Sequence, residues 1–361
     1  METLYFAGQP GTGFGWGICN RHLLEELSKI MPVCPIDASG PLWHSPHLPG
    51  NLFTPLQNHD FNPATPARGI HNYGYTFFEN ELTGQAQENA RCFDWVFAGS
   101  SWCCQRMREK NIENTSILIQ GVDSRVFHRE PIITGDERFL VFSGGKFELR
   151  KGQDLVLRAF QILQDKYPDI TLVNAWFNHW PASMLTMASS PHIRFEAHPG
   201  AWLDQMNHLY HLNGIDPRRV MTLPLLPQEK MTRVYQLTDV GLFPNRCEGG
   251  TNLVMMEYMA CGKPVVASYT SGHCDILHEG NALLLKQLRP FTVVTPDRCL
   301  AARWETATLD EILDRIEYAY HHRDAIKQLG RTAEADMRRL TWAKTAQTVL
   351  HTLHPPSTSV A

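Results

Sequence analysis

The sequence predicts an α/β protein of two parallel-sheet domains facing each other across a cleft, and three observations carry that expectation. A chain of 361 residues is about two domains at the usual ~100–200 residues each. Short apolar runs alternate with amphipathic helical stretches along nearly the whole length, the pattern of parallel strands joined by crossover helices. The loop Arg129–Arg138, REPIITGDER, then sets a Pro, a Gly and several charges between one α/β unit and a fresh strand-turn-helix. The expected domains are 1–130 and 131–339, with a last helix near 340–354 packing back on the first.

Taken in order, Leu4–Ala7 reads as a strand and Ile18–Ile30 as a helix with Leu23, Leu24, Leu27 and Ile30 on one face. Trp95–Ala98 and Ser116–Ile119 are strands flanking a helical Ser101–Lys110. Phe139–Ser143 is a strand, and Gln153–Tyr167 a helix carrying Leu155, Val156, Ala159, Phe160 and Leu163. Ile170–Trp176, Val220–Leu223, Val240–Phe243 and Pro264–Ser268 have the unbroken apolar character of buried strands. Amphipathic stretches at Leu309–Tyr320, Ala325–Leu340 and Trp342–Leu353 close the chain before a Pro- and Ser-rich tail.

Composition narrows the function. With 43% hydrophobic and 10% aromatic residues the chain is no disordered polymer, and a net charge of −4 excludes a generally basic nucleic-acid binder. A local basic pocket remains open. The nine cysteines include no CxxC pair, and METLYFAGQP has no basic region before its short apolar stretch. Reduced thiols in the cytoplasm are therefore expected. No run approaches the ~18 apolar residues of a membrane span, so only peripheral attachment to a membrane stays open. Acidic residues outnumber basic ones before the interdomain loop, so charge does not indicate such attachment.

Three turns carry residues suited to chemistry. After the first strand runs Gly8-Gln-Pro-Gly11-Thr-Gly13-Phe-Gly15-Trp-Gly17, whose glycines, Gly13 and Gly15 among them, let backbone amides approach a sugar or phosphate. The alternating spacing is not GxGxxG, which disfavours a dinucleotide site, and a tight turn without ligand is the alternative. After Phe139–Ser143 comes Gly144-Gly145-Lys146-Phe-Glu-Leu-Arg150-Lys151-Gly152. Two lysines and an arginine at a strand's carboxyl end are costly to desolvate without an anion, and Lys146 and Lys151 suit a departing diphosphate. A plain basic surface turn is the alternative reading.

The third and most specific is Arg246-Cys-Glu248-Gly-Gly250-Thr251-Asn252-Leu253-Val-Met-Met-Glu257, with a helix expected to start near Thr251 or Asn252. First-turn amides there would point at phosphate oxygens, and the carboxylates of Glu248 and Glu257 suit vicinal hydroxyls. In the first domain, Glu79 is placed at the end of a strand facing the cleft as the polar group that polarises an acceptor hydroxyl, with His71 as a second candidate. His179, His198, His208 and His211, with Trp176, Trp180 and Trp202, read as a cap over a nucleotide base. Their spacing is no metal signature.

The glycine-lysine turn and the block EGGTNLVMMEYMACGKPVVAS resemble the C-terminal half of retaining GT-B glycosyltransferases of group 1, family 4-like. Gln120-Gly-Val-Asp123-Ser-Arg-Val-Phe127 is similar to the segment leading into their hinge, and the resemblance covers residues 95–285 well. It implies two Rossmann-like domains and transfer of a sugar from a nucleotide-sugar donor to an acceptor hydroxyl, with retention and without a metal or other cofactor. By position it implies Lys146 and Lys151 on the diphosphate, with Gly145 and Arg150 in the same turn. Glu248 falls on donor-sugar hydroxyls, the Asn252 and Leu253 amides on phosphates, and Glu257 on the ribose.

The chain departs from the family in two places. Eight residues separate Glu248 from Glu257 where the family has seven, and Lys146 replaces an arginine, keeping charge but losing the bidentate fork. The acceptor is a glycan, a lipid-linked sugar or a small molecule, and no motif distinguishes UDP, GDP or ADP or fixes an oligomeric state. A nucleotide-sugar epimerase and a non-catalytic sugar-nucleotide binding protein are the alternative functions.

Overall fold

The computed structural model describes residues 2–57, 59–130, 137–294 and 300–354. The interior of the expected interdomain loop, 131–136, and the terminal residues 355–361 lie outside these. The first domain holds β1 (Leu4–Phe6), β2 (Val33–Pro35), β3 (Asn51–Gln57), β4 (Asn62–Pro63), β5 (Asn72–Thr76), β6 (Trp95–Ala98) and β7 (Thr115–Ile117), with helices α1 (Gly15–Ile30), α2 (Gly84–Ala90) and α3 (Ser101–Arg108). The sheet runs β2-β1-β3-β5-β6-β7, all parallel, with β4 antiparallel beside β3.

The second domain holds β8 (Phe139–Lys146), β9 (Ile170–Phe177), β10 (Val220–Thr222), β11 (Val240–Phe243), β12 (Val265–Ser268) and β13 (Leu283–Leu285), in the parallel order β10-β9-β8-β11-β12-β13. An antiparallel hairpin of β14 (Leu288–Val294) and β15 (Leu300–Ala307) follows. The helices are α4 (Gln153–Lys166), α5 (Pro181–Met184), α6 (Trp202–Leu212), α7 (Gln228–Leu237), α8 (Leu253–Ala260), α9 (Leu309–His321), α10 (Arg323–Met337) and α11 (Trp342–Leu353). No helix among the described residues is long and apolar enough to cross a membrane.

Both sheets reverse direction of growth once, between β1 and β3 and between β8 and β11. Crevices at the carboxyl ends of parallel strands open where strand order reverses. The glycine turn after β1 and the lysine turn after β8 both follow strands that border such reversals. Each element of the site therefore sits where the sheet leaves room for a ligand.

Several element ends differ from the sequence expectation by a few residues, and two of these differences bear on the site. Helix α1 begins at Gly15, one turn before Ile18, taking the last glycines of the turn into the helix. Strand β8 continues to Lys146, because Gly144, Gly145 and Lys146 pair in register with Ala175, Trp176 and Phe177. Strand β3 hid in the sequence because it is buried on both faces and contains Pro55. That proline costs no ladder bond to β1, whose pairing with β3 already stops at Phe53.

Each domain has its own apolar core. That of the first, around Leu4, Phe6, Leu23, Leu27 and Phe53, also takes in Trp342, Ala346, Val349 and Leu353 of α11. The chain thus returns to its first domain, and the ring of His22 stacks on Trp342 with centroids 5.1 Å apart. Where α4 meets the turn after β11, Arg246 and Asp154 form a fully buried ion pair at 2.8 Å. Arg246 also donates to the Leu149 carbonyl, and Ser190 Oγ donates to Asp154 at 2.7 Å. This pair ties the lysine turn to the Glu248 turn. Removing one partner of such a pair leaves an uncompensated buried charge. Asp154→Ala is therefore expected to cost about 3–5 kcal/mol in urea unfolding; a loss below about 1 kcal/mol would show that the pair holds nothing together.

Candidate active site

The turn after β8 closes on a short 3-10 segment, Leu149–Lys151, and on Gly152 at φ +72°, where a Cβ would lie 2.2 Å from the Pro244 carbonyl oxygen. Only glycine fits there. This tight closure turns Arg150 and Lys151 toward the end of β11. Lys151 Nζ meets Glu248 Oε1 at 2.6 Å, and Lys146 Nζ meets Glu148 Oε2 at 2.8 Å while lying 4.9 Å above the Trp180 ring. Arg150 is the hub. It reaches Glu148 at 2.6 Å, Glu248 at 3.2 Å and Glu79 at 3.3 Å, and donates to the Cys247 carbonyl at 2.8 Å.

The negative charge that these cations demand is thus supplied inside the protein, by Glu79, Glu148 and Glu248. Burial would raise the Glu248 carboxyl, but Lys151, Arg150 and His273 pull it down to about 2. Asn245 donates to the same carboxylate, and the Glu248 amide donates to Ser271 Oγ at 2.8 Å. Glu148 is held below its ordinary value, burial being outweighed by Arg150 and Lys146.

Helix α8 begins at Leu253 and is capped by Asn252, at φ +64°, whose side-chain oxygen accepts from the Met255 amide at 3.4 Å. Asn252 Nδ2 lies 3.3 Å from His273 Nε2, and His273 Nδ1 lies 3.0 Å from the Ser268 carbonyl. A carbonyl only accepts, which assigns the ring proton to Nδ1 and leaves Nε2 to accept from Asn252. Burial lowers the His273 pKa to about 4, so the ring is neutral at pH 7. Thr251 is fully buried, and its hydroxyl turns inward to Met256 Sδ at 3.0 Å. Leu253 is half-buried against the cores of both domains. Glu257 is raised to about 7 by burial and accepts from Gln228 Nε2 at 2.6 Å and Tyr235 OH at 3.3 Å.

From the first domain, Glu79 stands three residues past the end of β5. Its carboxylate accepts from the Gly249 amide at 3.3 Å. A Cβ on Gly249 would come 2.4 Å from the Phe78 carbonyl oxygen, so the two domains touch at that glycine. Gly250 lies beside Gln120 and Phe77. Gly13 and Gly15 stand open, with only His179 Nε2 near Gly13, at 3.7 Å from an added Cβ. Gly145, at φ +116°, also faces open space.

The structure corrects two readings. His71 lies at the amino end of β5, away from the cleft, where it is more than half exposed and pairs with Asp94 at 3.1 Å. Of the expected aromatic and histidine cap, His179 and Trp180 reach the cleft, where Phe14 meets Trp180 edge-on at 6.0 Å. Trp176 is buried in the second core, Trp202 packs on Phe147 and Phe177, and the His198 and His208 rings lie tilted against each other with centroids 4.9 Å apart.

Sequence reasoning missed the hairpin, although its alternating LRPFTVV and LAARWETA runs are the signal of half-exposed strands. It straps the domains together. Trp304 Nε1 donates to the Glu79 carbonyl at 2.7 Å, the Glu81 amide donates to Ala301 at 2.9 Å, and Phe291 lies 4.6 Å from the Arg246 guanidinium. Among the described residues, no group of three or more His, Cys, Asp or Glu is placed to hold a metal ion.

Residues 137–291, from the start of β8 into β14, match the family described as Glycosyl transferases group 1. The match takes in most of the second domain and none of the first. The chain is 27% identical over 164 residues to the GDP-mannose-dependent alpha-(1-6)-phosphatidylinositol monomannoside mannosyltransferase of Mycolicibacterium smegmatis. That match takes in 44% of this chain and spans 37% of the relative's length.

Among solved structures, sucrose-phosphate synthase from Thermosynechococcus elongatus superposes with a TM-score of 0.67 at 16% identity, over 98% of both chains. A glycosyltransferase from Rickettsia africae gives 0.65 at 10% identity over 97% of each chain. HepE of Anabaena, in complex with UDP-glucose, gives 0.61 at 14% identity over 98% of this chain and 99% of that one. The shared architecture is the GT-B fold.

The charges buried in the second domain set how stability responds to acid. His273 is neutral in the fold down to about pH 4, whereas in the unfolded chain it takes a proton near 6.5. Its contribution is therefore complete above pH 6.5 and is lost as pH falls toward 4. Glu257, raised to about 7, works in the opposite sense, and Glu248 contributes fully above 4.5 and loses its share as pH falls toward 2. The melting-temperature advantage of the wild type over His273→Gln should accordingly narrow between pH 7 and pH 5. A gap that widens or stays constant would mean that His273 is not held neutral.

Proposed function

We propose that the chain is a retaining hexosyltransferase that moves a sugar from a nucleoside diphosphate donor to an acceptor hydroxyl, in glycan or glycoconjugate synthesis. The observation that carries this reading is the placement of Lys146, Arg150 and Lys151 at the joined carboxyl ends of β8 and β11, beside the first turn of α8 and opposite Glu79 of the other domain. The match of residues 137–291 to the group 1 family supports the class, and the UDP-glucose held by the Anabaena neighbour on the same fold supports the kind of donor.

On this reading the diphosphate takes Lys146 and Lys151 from their glutamate partners. It also accepts from the backbone amides at the α8 N-terminus, where the helix dipole favours negative charge. Glu257 receives the ribose hydroxyls, and Glu248, ionised at every working pH, receives those of the hexose. The Gly13–Gly15 backbone closes over the donor from the first domain.

The bond from the anomeric carbon to the diphosphate oxygen breaks while the acceptor oxygen bonds to the same carbon from the same face. Charge growing on the leaving oxygen is met by the two ammonium groups, so the side chains do the neutralising. Glu79 accepts a hydrogen bond from the incoming hydroxyl and orients it, and the proton passes to the departing phosphate oxygen beside it.

Removing one pre-placed charged donor from a developing oxyanion typically costs ~10²–10³ in turnover. Lys151→Ala is expected to lose that much in sugar transfer from UDP- or GDP-hexoses to an acceptor panel, with its circular dichroism unchanged. Wild-type turnover in that variant would overturn the reading, as would donor consumption that does not depend on acceptor.

A further inference from the structure

The first domain also reaches the residue proposed to hold the ribose, through a chain of two side chains. Arg21, on α1, donates from Nη2 to Gln228 Oε1 at 2.7 Å. Gln228, the first residue of α7, donates from Nε2 to Glu257 Oε1 at 2.6 Å, and Tyr235 OH donates to the other oxygen at 3.3 Å. The direction of this chain is dictated by chemistry. A guanidinium has only donors, so the Gln228 oxygen must face Arg21, and its NH₂ must then face the carboxylate. Turning the amide round would set donor against donor at one end and acceptor against acceptor at the other. Arg21 has few other ties. Among the described residues its buried Nε has no hydrogen-bond partner, and its other hydrogen-bond contact is His22 Nε2 at 3.3 Å.

The consequence lies in how the two domains meet. Gln228 and Glu257 belong to the second domain and Arg21 to the first, on the helix that begins in the Gly8–Gly17 turn. With the domains together, Arg21 locks the Gln228 amide, and the amide fixes the rotamer of Glu257. With Arg21 withdrawn, Gln228 is free to rotate, and the carboxylate keeps only the longer bond from Tyr235 OH at 3.3 Å. We propose that Arg21 and Gln228 are positioning residues that couple closure of the two domains to the grip of Glu257 on the ribose diol of the donor. This rests on the donor reading above and adds a readout of its own, discrimination between ribose and deoxyribose. Coupling of this kind is reciprocal, so whatever closure adds to nucleotide affinity, the nucleotide adds to closure.

The test is calorimetric binding of UDP, GDP and ADP, each beside its 2′-deoxy form, to the full chain and its variants. For the nucleotide it accepts, the wild type should prefer the ribose form by roughly tenfold, the scale of one hydrogen bond to a charged group. In Gln228→Ala that preference should fall to about twofold or less, through weaker binding of the ribose form with the deoxy form little changed. Arg21→Ala should act in the same direction from the other domain, and the double variant should be no weaker than either single one. Arg21→Lys should recover part of the preference, and it supplies a variant if Arg21→Ala fails to fold. An unchanged ribose preference in Gln228→Ala, or additive losses in the double variant, would overturn the coupling and leave the donor reading standing. Failure of the wild type to bind any of the three nucleotides would overturn the donor reading and the coupling with it.

Discussion

A nearly buried guanidinium, Arg150, ringed by the carboxylates of Glu79, Glu148 and Glu248, governs how the site and the domain contact are built. Each ion removed from water costs several kcal/mol unless it is paired and hydrogen-bonded. Arg150 therefore needs Glu148 and Glu248 from its own domain and Glu79 from the other, and the two lysines are matched in the same ring. Because one carboxylate comes from the first domain, the charge balance of the site and the contact between the domains are a single problem. The glycine at 249 allows it, since any side chain there would keep Phe78 and Glu79 at a distance.

Around that ring the fold supplies rigidity where the chemistry needs it. The buried Arg246–Asp154 pair fixes the two turns against each other, the Asn252 cap and His273 hold the start of α8, and the β14–β15 hairpin presses Trp304 onto the Glu79 backbone. None of these groups has to touch a substrate to matter. Catalytic geometry is held by the packing and hydrogen bonds behind it. The family match ends at residue 291, so β15, which makes the hairpin's contacts with the first domain, lies outside it.

Much of this was legible in the sequence. The strands β1, β6, β8, β9, β11 and β12 announce themselves as short apolar runs, and the lysine turn and the Glu248–Glu257 block stand out by their residue types and spacing. What escaped was whatever depends on partners distant along the chain. Gln228 and Tyr235 reach Glu257 across 29 and 22 residues, and Glu79 reaches Arg150 from another domain. Reading three cations without the glutamates that fold onto them made the turn look more starved of negative charge than it is. The inward turn of the Thr251 hydroxyl and the position of His71 at the far edge of β5 are matters of rotamer and strand direction, which spacing does not encode.

The most direct measurement is a crystal structure of the chain grown with the nucleotide sugar it accepts. The account expects diphosphate oxygens within hydrogen-bond distance of the Lys146 and Lys151 ammonium groups and of the first amides of α8, with Glu248 turned to the hexose. A donor bound with its diphosphate elsewhere, while Lys151 stays on Glu248 and Lys146 on Glu148, would contradict it.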